Sequence, residues 1–117
     1  MSRIKIIQES GLDDGESVAF KFLREGKQID AFLIRFEGRF HAYENVCRHL
    51  PVGLDYGDAQ FFNREKDFLV CRTHGALYHP VNGKCVQGPC GGESLFPLEI
   101  AVEEGTVWLV EAGAESP

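Results

Sequence analysis

Apolar residues along this chain fall in short runs that alternate with polar positions at a period of two, and no helical period is sustained over ten residues. "RIKII" (3–7), "VAFKFL" (18–23), "IDAFLIRF" (29–36) and "FHAYEN" (40–45) are rich in Val, Ile, Phe and Tyr, which suit a pleated, half-buried surface. "REGKQ" and "EGR" punctuate these runs as turns, so each neighbouring pair predicts a hairpin. Further on, "AQFFNREKDFLVC" predicts a hairpin over the polar "NREK". "ALYH" and "KCVQ" flank "PVNG", whose Asn82-Gly83 is a strong tight-turn signal. "PLEIAVEE" and "TVWLVE" pair across Gly105, with Trp108 expected in the core and Glu103 and Glu104 in a solvated turn. The final "AGAESP" is expected to be unstructured. With no repeat and no linker, the pattern predicts an all-β domain, a small antiparallel sandwich or barrel.

The length of 117 residues fits one domain, and a 44% hydrophobic content is enough to bury a core. Twelve basic residues against eighteen acidic ones give a net charge of -6. That balance argues against a nucleic-acid footprint, which needs a basic patch, and against docking to anionic lipid. It favours a partner with a basic face, although solubility alone explains the charge equally well. The N-terminal stretch has no apolar run of signal-peptide length, and nothing approaches the ~20 apolar residues of a membrane span. A soluble, cytoplasmic protein is expected, in a compartment where cysteines usually stay reduced. Four cysteines there suggest metal ligands or redox groups before a disulfide frame.

Two stretches sharpen that reading. "NVCRHLPVG" pairs Cys47 with His49, and "LVCRTHGALYHP" pairs Cys71 with His74. Each pair follows a predicted strand and opens a loop bearing glycine or proline, so the two loops can meet at one end of a sandwich. One cysteine in an apolar strand would be a small buried hydrophobe. Two Cys–His pairs at ligand spacing make a site. Zinc knuckles usually contribute matched ligands, whereas each pair here mixes them. In a two-iron cluster the mixture has a use, because one iron can take both thiolates and the other both imidazoles. Neutral ligands lower the net charge and raise the potential. A nucleophilic Cys–His dyad leaves the duplicate pair unexplained, and "CRTH" lacks the second cysteine of a haem attachment site.

"C-R-H-L-P-V-G-L" and "C-R-T-H-G-A-L-Y-H-P-V-N-G-K-C-V-Q-G-P" resemble the two cluster loops and following segment of a Rieske [2Fe–2S] domain, over about the C-terminal two-thirds of the chain. The resemblance implies a single Rieske domain over residues 1–117, a Rieske-type antiparallel β sandwich (the ISP domain) with a small cluster-binding subdomain at about 46–91. It implies one [2Fe–2S] cluster, with Cys47 and Cys71 on the inner iron and His49 and His74 on the outer iron through Nδ1. Gly88-Pro89 would be the loop shielding the cluster's third side. The 21 residues between His49 and Cys71 make a longer spacer than is usual, with the extra length expected in a 59–68 hairpin. The implied function is electron transfer by a stand-alone ferredoxin, not itself an enzyme. It would pass electrons from a flavoprotein reductase to a terminal oxygenase, with aromatic-ring dioxygenase systems as precedent. One alternative is a small subunit of a nitrite-reductase-like complex, bound to a reductase large subunit that carries flavin. Another is a zinc-stapled interaction module. The chain is too short to be an oxygenase in its own right.

Departures from the family pattern carry expectations of their own. Where respiratory Rieske proteins have an inter-loop disulfide, this chain has Val52 and Thr73. Where they have a serine donor to a cluster sulfide, it has Ala76, although the tyrosine is kept as Tyr78. Losing that donor disfavours the electron-rich reduced form, so a midpoint of roughly -150 to 0 mV is expected within the family range. Oxidation would also lower the pKa of the ligand imidazoles and couple the potential to alkaline pH. Cys85 and Cys90 are expected as buried free thiols, with a bridge around "VQGP" as the lesser alternative and Cys90 close to the cluster without ligating it. His41 and His79 are expected in structural roles. "GPCGGES" opens no helix and is a poor phosphate loop.

Overall fold

The computed structural model describes residues 3–48, 52–73 and 75–117. Strand β1 (Ile4–Gln8) leads through a 3₁₀ turn at Glu9–Gly11 to β2 (Ser17–Arg24), β3 (Lys27–Phe36) and β4 (Arg39–Glu44). Short strands follow at β5 (Leu69–Val70), β6 (Leu77–Tyr78), β7 (Cys85–Gln87) and β8 (Pro97–Leu98), then β9 (Ile100–Glu103), β10 (Thr106–Leu109) and β11 (Ala114–Glu115). They form three antiparallel sheets in the orders β11-β2-β3-β4-β8, β1-β10-β9 and β5-β6-β7. There is no α-helix among the described residues, and no helix there is long and apolar enough to cross a membrane.

Three Glu-Gly pairs set the long hairpins. Glu25-Gly26, Glu37-Gly38 and Glu104-Gly105 all have positive φ at both residues, the conformation of a type I′ turn whose twist matches paired strands. The "NREK" hairpin also forms. Asn63 accepts the Asp67 and Phe68 amides on Oδ1, and Phe62 bridges Leu69 across the turn.

Strand β3 explains how the sheets stack. Ala31 to Ile34 are all buried, so both faces of this strand are covered. Ala31 and Leu33, with Ala42 of β4, face a core completed by Phe22, Leu98, Val107 and Leu109. Phe32, Ile34 and Tyr43 face the opposite way, toward Phe61, Leu69, Tyr78, Cys47 and Cys71. The five-stranded sheet is therefore a wall between a structural core and the core under the cysteine loops. This double burial is why "AFLI" reads as continuous apolar sequence where a one-sided strand would alternate.

Two expectations are corrected. The tail is not unstructured: Ala114 and Glu115 pair with Arg24 and Leu23, and Ala114 is buried. Pairing there satisfies backbone groups that β2 would otherwise leave open at its edge. Trp108 is not core either. In β10 the inward positions are Val107 and Leu109, which leaves Trp108 half-buried on the outer face under the Arg3 guanidinium, 4.5 Å from the ring centroid.

Tyr43 locks the two-sided wall to the small sheet by donating its hydroxyl to the Pro80 carbonyl at 2.7 Å. Burial pushes the Tyr43 phenol well above its ordinary value, and it does the same to Tyr78. An acid whose pKa is raised by folding binds its proton more tightly in the native state, so its stabilisation is complete below the unfolded value and is lost above it. Stability is therefore expected to hold to about pH 10, the ordinary phenol value, and to fall beyond it. Denaturant titrations from pH 8 to 11.5 check this, and a flat profile would contradict it.

Candidate metal centre

Each cysteine sits just past a strand, in a loop closed by its own backbone. After β4, Asn45 accepts the Leu54 amide on Oδ1 at 2.7 Å and donates from Nδ2 to Asp55 at 3.0 Å, while the Cys47 amide donates to the Val52 carbonyl at 2.7 Å. After β5, the Cys71 amide donates to the Ala76 carbonyl at 2.9 Å and the Gly75 amide returns to the Cys71 carbonyl at 2.7 Å. The Arg72 amide then donates to the Leu54 carbonyl at 2.9 Å and stitches the loops together. The expected meeting of the two loops is what the fold builds.

Both cysteines are buried in one cluster with Tyr78. The Tyr78 hydroxyl accepts the Arg48 amide at 3.1 Å and lies 3.6 Å from the Cys47 Sγ. With its oxygen engaged by that amide, the phenol can direct its own hydrogen to the sulfur. Burial raises the Tyr78 pKa most; the Arg48 amide opposes the shift, and Cys47 and Cys71 add to it. Tyr78 thus stays a neutral donor across the physiological range. Two buried thiols gathered at one phenol fit a group that takes thiolate ligands. The other two expected ligands, His49 and His74, lie outside the described residues.

Losing the phenol should be measurable. Tyr78→Phe removes a donor to the Cys47 sulfur, and, with that sulfur on a redox centre, a hydrogen bond of ordinary net strength corresponds to a midpoint lowered by about 20–60 mV. It also strands the Arg48 amide, at a cost of about 1–3 kcal/mol. Potentiometric titration and melting of the variant check both effects, and an unchanged potential would remove Tyr78 from the site.

A third segment, the hairpin after β6, packs against the second cysteine loop. His79 accepts the Val81 amide at 3.2 Å on Nδ1 and so caps the Asn82-Gly83 turn, the structural role expected of it. Gly88 lies at φ +108 with Ala76 pressed against it; a Cβ there would stand 2.9 Å from the Ala76 Cα. Cys85 and Cys90, expected as free thiols, are joined in a disulfide. The turn through Gly88 folds the chain back until the two Cα atoms are 5.9 Å apart, within bridging range.

Two residues escaped the sequence reading. Arg48 and Arg72 each directly follow a cysteine, and the shared "C-R" of both motifs was the available signal. Arg72 pairs with Asp58, holding that carboxyl below its usual range, and its guanidinium lies 4.5 Å over the Tyr56 ring. Arg48 reaches the 93–96 segment. Val52 and Tyr56, between the two cysteines, and Phe96, under the Arg48 guanidinium, are three of the six exposed large hydrophobics among the described residues.

Comparison with known proteins agrees with this geometry. The profile of the family described as Rieske [2Fe-2S] domain matches residues 2–104. The ferredoxin component of an alkene monooxygenase system from Xanthobacter autotrophicus is 30% identical over 96 residues, covering 82% of this chain and 70% of that one. The ferredoxin of carbazole 1,9a-dioxygenase from Nocardioides aromaticivorans IC177 superimposes with a TM-score of 0.73 at 19% identity, over 95% of this chain and 99% of that one. A chain from the complex of reduced oxygenase and oxidised ferredoxin in carbazole 1,9a-dioxygenase gives a TM-score of 0.72 at 24% identity, over 98% of this chain and 95% of that one.

Proposed function

The chain belongs to the Rieske [2Fe–2S] domain family, and on that premise we propose that it is a one-electron carrier, a ferredoxin component serving an oxygenase system. The observation that carries this reading is the burial of Cys47 and Cys71 in one cluster with Tyr78, whose hydroxyl lies beside the Cys47 Sγ. We assign Cys47 and Cys71 as thiolate ligands to one iron, and His49 and His74 as imidazole ligands to the other. Two Cys–His motifs in two loops that hydrogen-bond to each other support this set. We assign the chain as one domain, 1–117, with the cluster-binding part at about 46–91.

When bound, the cluster supplies reversible one-electron chemistry; the protein supplies its shell and its docking face. Ala76, Leu69 and Tyr78 keep water from the thiolates, and Tyr78 donates toward Cys47 Sγ. Ala76 is buried and brings no hydroxyl, so the second loop offers the cluster one donor fewer. That supports a midpoint low in the family range, roughly -150 to 0 mV. Val52, Tyr56 and Phe96 provide apolar area for a reductase on one encounter and a terminal oxygenase on the next. The net charge of -6 would speed encounter with a basic partner face.

Reduction of purified protein with dithionite tests the reading. The expected product is a coloured protein with the low average g of mixed Cys/His ligation in its EPR spectrum. A colourless protein with bound zinc would overturn it, and a midpoint above about +150 mV would overturn the low-potential assignment. Purification with a large flavin-bearing subunit would favour the reductase-subunit alternative, which the ferredoxin relatives do not support. We also place the carrier in the cytoplasm, and its recovery from another cell fraction would count against that.

A further inference from the structure

Arg48 is held by more than a surface ion pair. Its Nη1 donates to the Ser94 carbonyl at 2.7 Å, its Nη2 pairs with Glu93 at 2.8 Å, and its guanidinium lies 4.3 Å over the Phe96 ring. An exposed ion pair alone contributes little, but a carbonyl bond and a stacked ring fix the planar guanidinium in one place. Its backbone amide meanwhile holds the Tyr78 hydroxyl beside Cys47 Sγ. One residue thus joins the Cys47 loop to both the phenol and the 93–96 segment.

That segment is itself anchored to the disulfide hairpin. The Glu93 amide donates to the Cys90 carbonyl and the Cys85 amide to the Glu93 carbonyl, both at 2.9 Å. Ser94 bridges Lys84, and the Leu95 amide donates to the Gly83 carbonyl at 2.8 Å. Inside the bridged loop, Gly88 bears on Ala76 of the second cysteine loop. The hairpin therefore touches one loop through Arg48 and the other through Gly88.

We propose that the Cys85–Cys90 disulfide and Arg48 form a single brace that positions both cysteine loops, with Arg48 the positioning residue for Cys47. The proposal rests on the reading that Cys47 and Cys71 bind the cluster. Neither end suffices alone. Without the disulfide, the Glu93 and Ser94 partners lose their fixed position; without Arg48, the fixed hairpin no longer reaches the first loop. Arg48 also neutralises the Glu93 carboxylate at 2.8 Å, so its loss leaves a negative charge uncompensated on this segment, which disfavours the reduced cluster.

A set of variants tests this: Arg48→Gln, Arg48→Lys, the double variant Cys85→Ala/Cys90→Ala, and Arg48→Gln combined with that pair. Cluster loss to a chelator, the EPR line shape, the midpoint and the melting of the metal-free proteins are measured for each. Arg48→Gln and the cysteine pair should each speed cluster loss by about tenfold, the scale of outer-shell partners. Both should shift the g values, and Arg48→Gln should move the midpoint negative. Arg48→Lys keeps the charge and restores the midpoint but retains the faster loss. The combined variant should lose cluster no faster than either parent, because one unit breaks only once. Multiplying effects, near a hundredfold, would show two independent contacts and overturn the brace. So would unchanged EPR and unchanged retention in both parents. Wild-type protein that takes up no cluster sinks the underlying reading and the positioning role with it. In that case, coupling between Arg48 and the disulfide in the metal-free melts still reports whether the brace exists.

Discussion

Cys71→Ala is expected to yield a folded, colourless chain whose iron content is lower at least about tenfold, with no Rieske EPR signal. Cys71 is completely buried, and its backbone amide and carbonyl close the loop with Ala76 and Gly75 without help from the sulfur. The loop can therefore form in the variant while the ligand set is incomplete. Alanine suits the test better than serine, which would bury a hydroxyl in an apolar cluster. Because cluster binding and folding are linked, the variant should melt as the metal-free wild type does. Iron and sulfide analysis alongside circular dichroism decides the matter. Full iron with an unchanged spectrum would remove Cys71 from the ligand set.

Phe32→Ala is expected to be the most damaging change outside the proposed ligands, costing about 3–5 kcal/mol. Phe32 is fully buried; its ring stacks on Phe61 at 4.1 Å and 7° and tilts against Tyr43 at 5.8 Å. Phe61 in turn accepts the Val70 amide at 2.9 Å, one residue before Cys71. A cavity at Phe32 loosens the path by which the sheet holds the second loop. Domains of this kind retain about 5–15 kcal/mol, so a fifth or more of the stability would go, with a drop in Tm of about 10–20 °C. Trp108→Ala, although it removes a larger side chain, should cost less than half as much, because Trp108 lies on an outer face. Denaturant titration of both variants checks the order, and equal losses would contradict the two-core description.

The order of those two aromatics shows how sequence and tertiary structure divide the information. An alternating run states that one face is buried, and it locates turns, because a Glu-Gly or Asn-Gly pair acts within four residues of itself. Strands β1 to β4, the hairpin over "NREK" and the β9–β10 pair were legible for that reason. Both Cys–His motifs are local spacings too, and the fold brings Cys47 and Cys71 into one buried cluster. Which face of β10 points inward depends on the sheet laid against it, and Trp108 was misassigned because size and apolarity do not report that.

The remaining surprises are all long-range. Ala114 pairs with Arg24 because β2 has an open edge, and nothing in "AGAESP" signals that edge. Cys85 and Cys90 bond because Gly88 turns the chain back between them, while composition and compartment both favoured thiols. Arg48 and Arg72 went unread in the sequence, because Glu93, Phe96, Asp58 and Tyr56 reach them only through the fold. The sequence by itself determined the strands, the turns and the pair of Cys–His motifs, all of which depend on neighbours along the chain. The tertiary structure alone decided which faces are covered, how the tail is held and what braces the cysteine loops, because each depends on residues far apart in sequence that only the packed sheets bring within bonding distance.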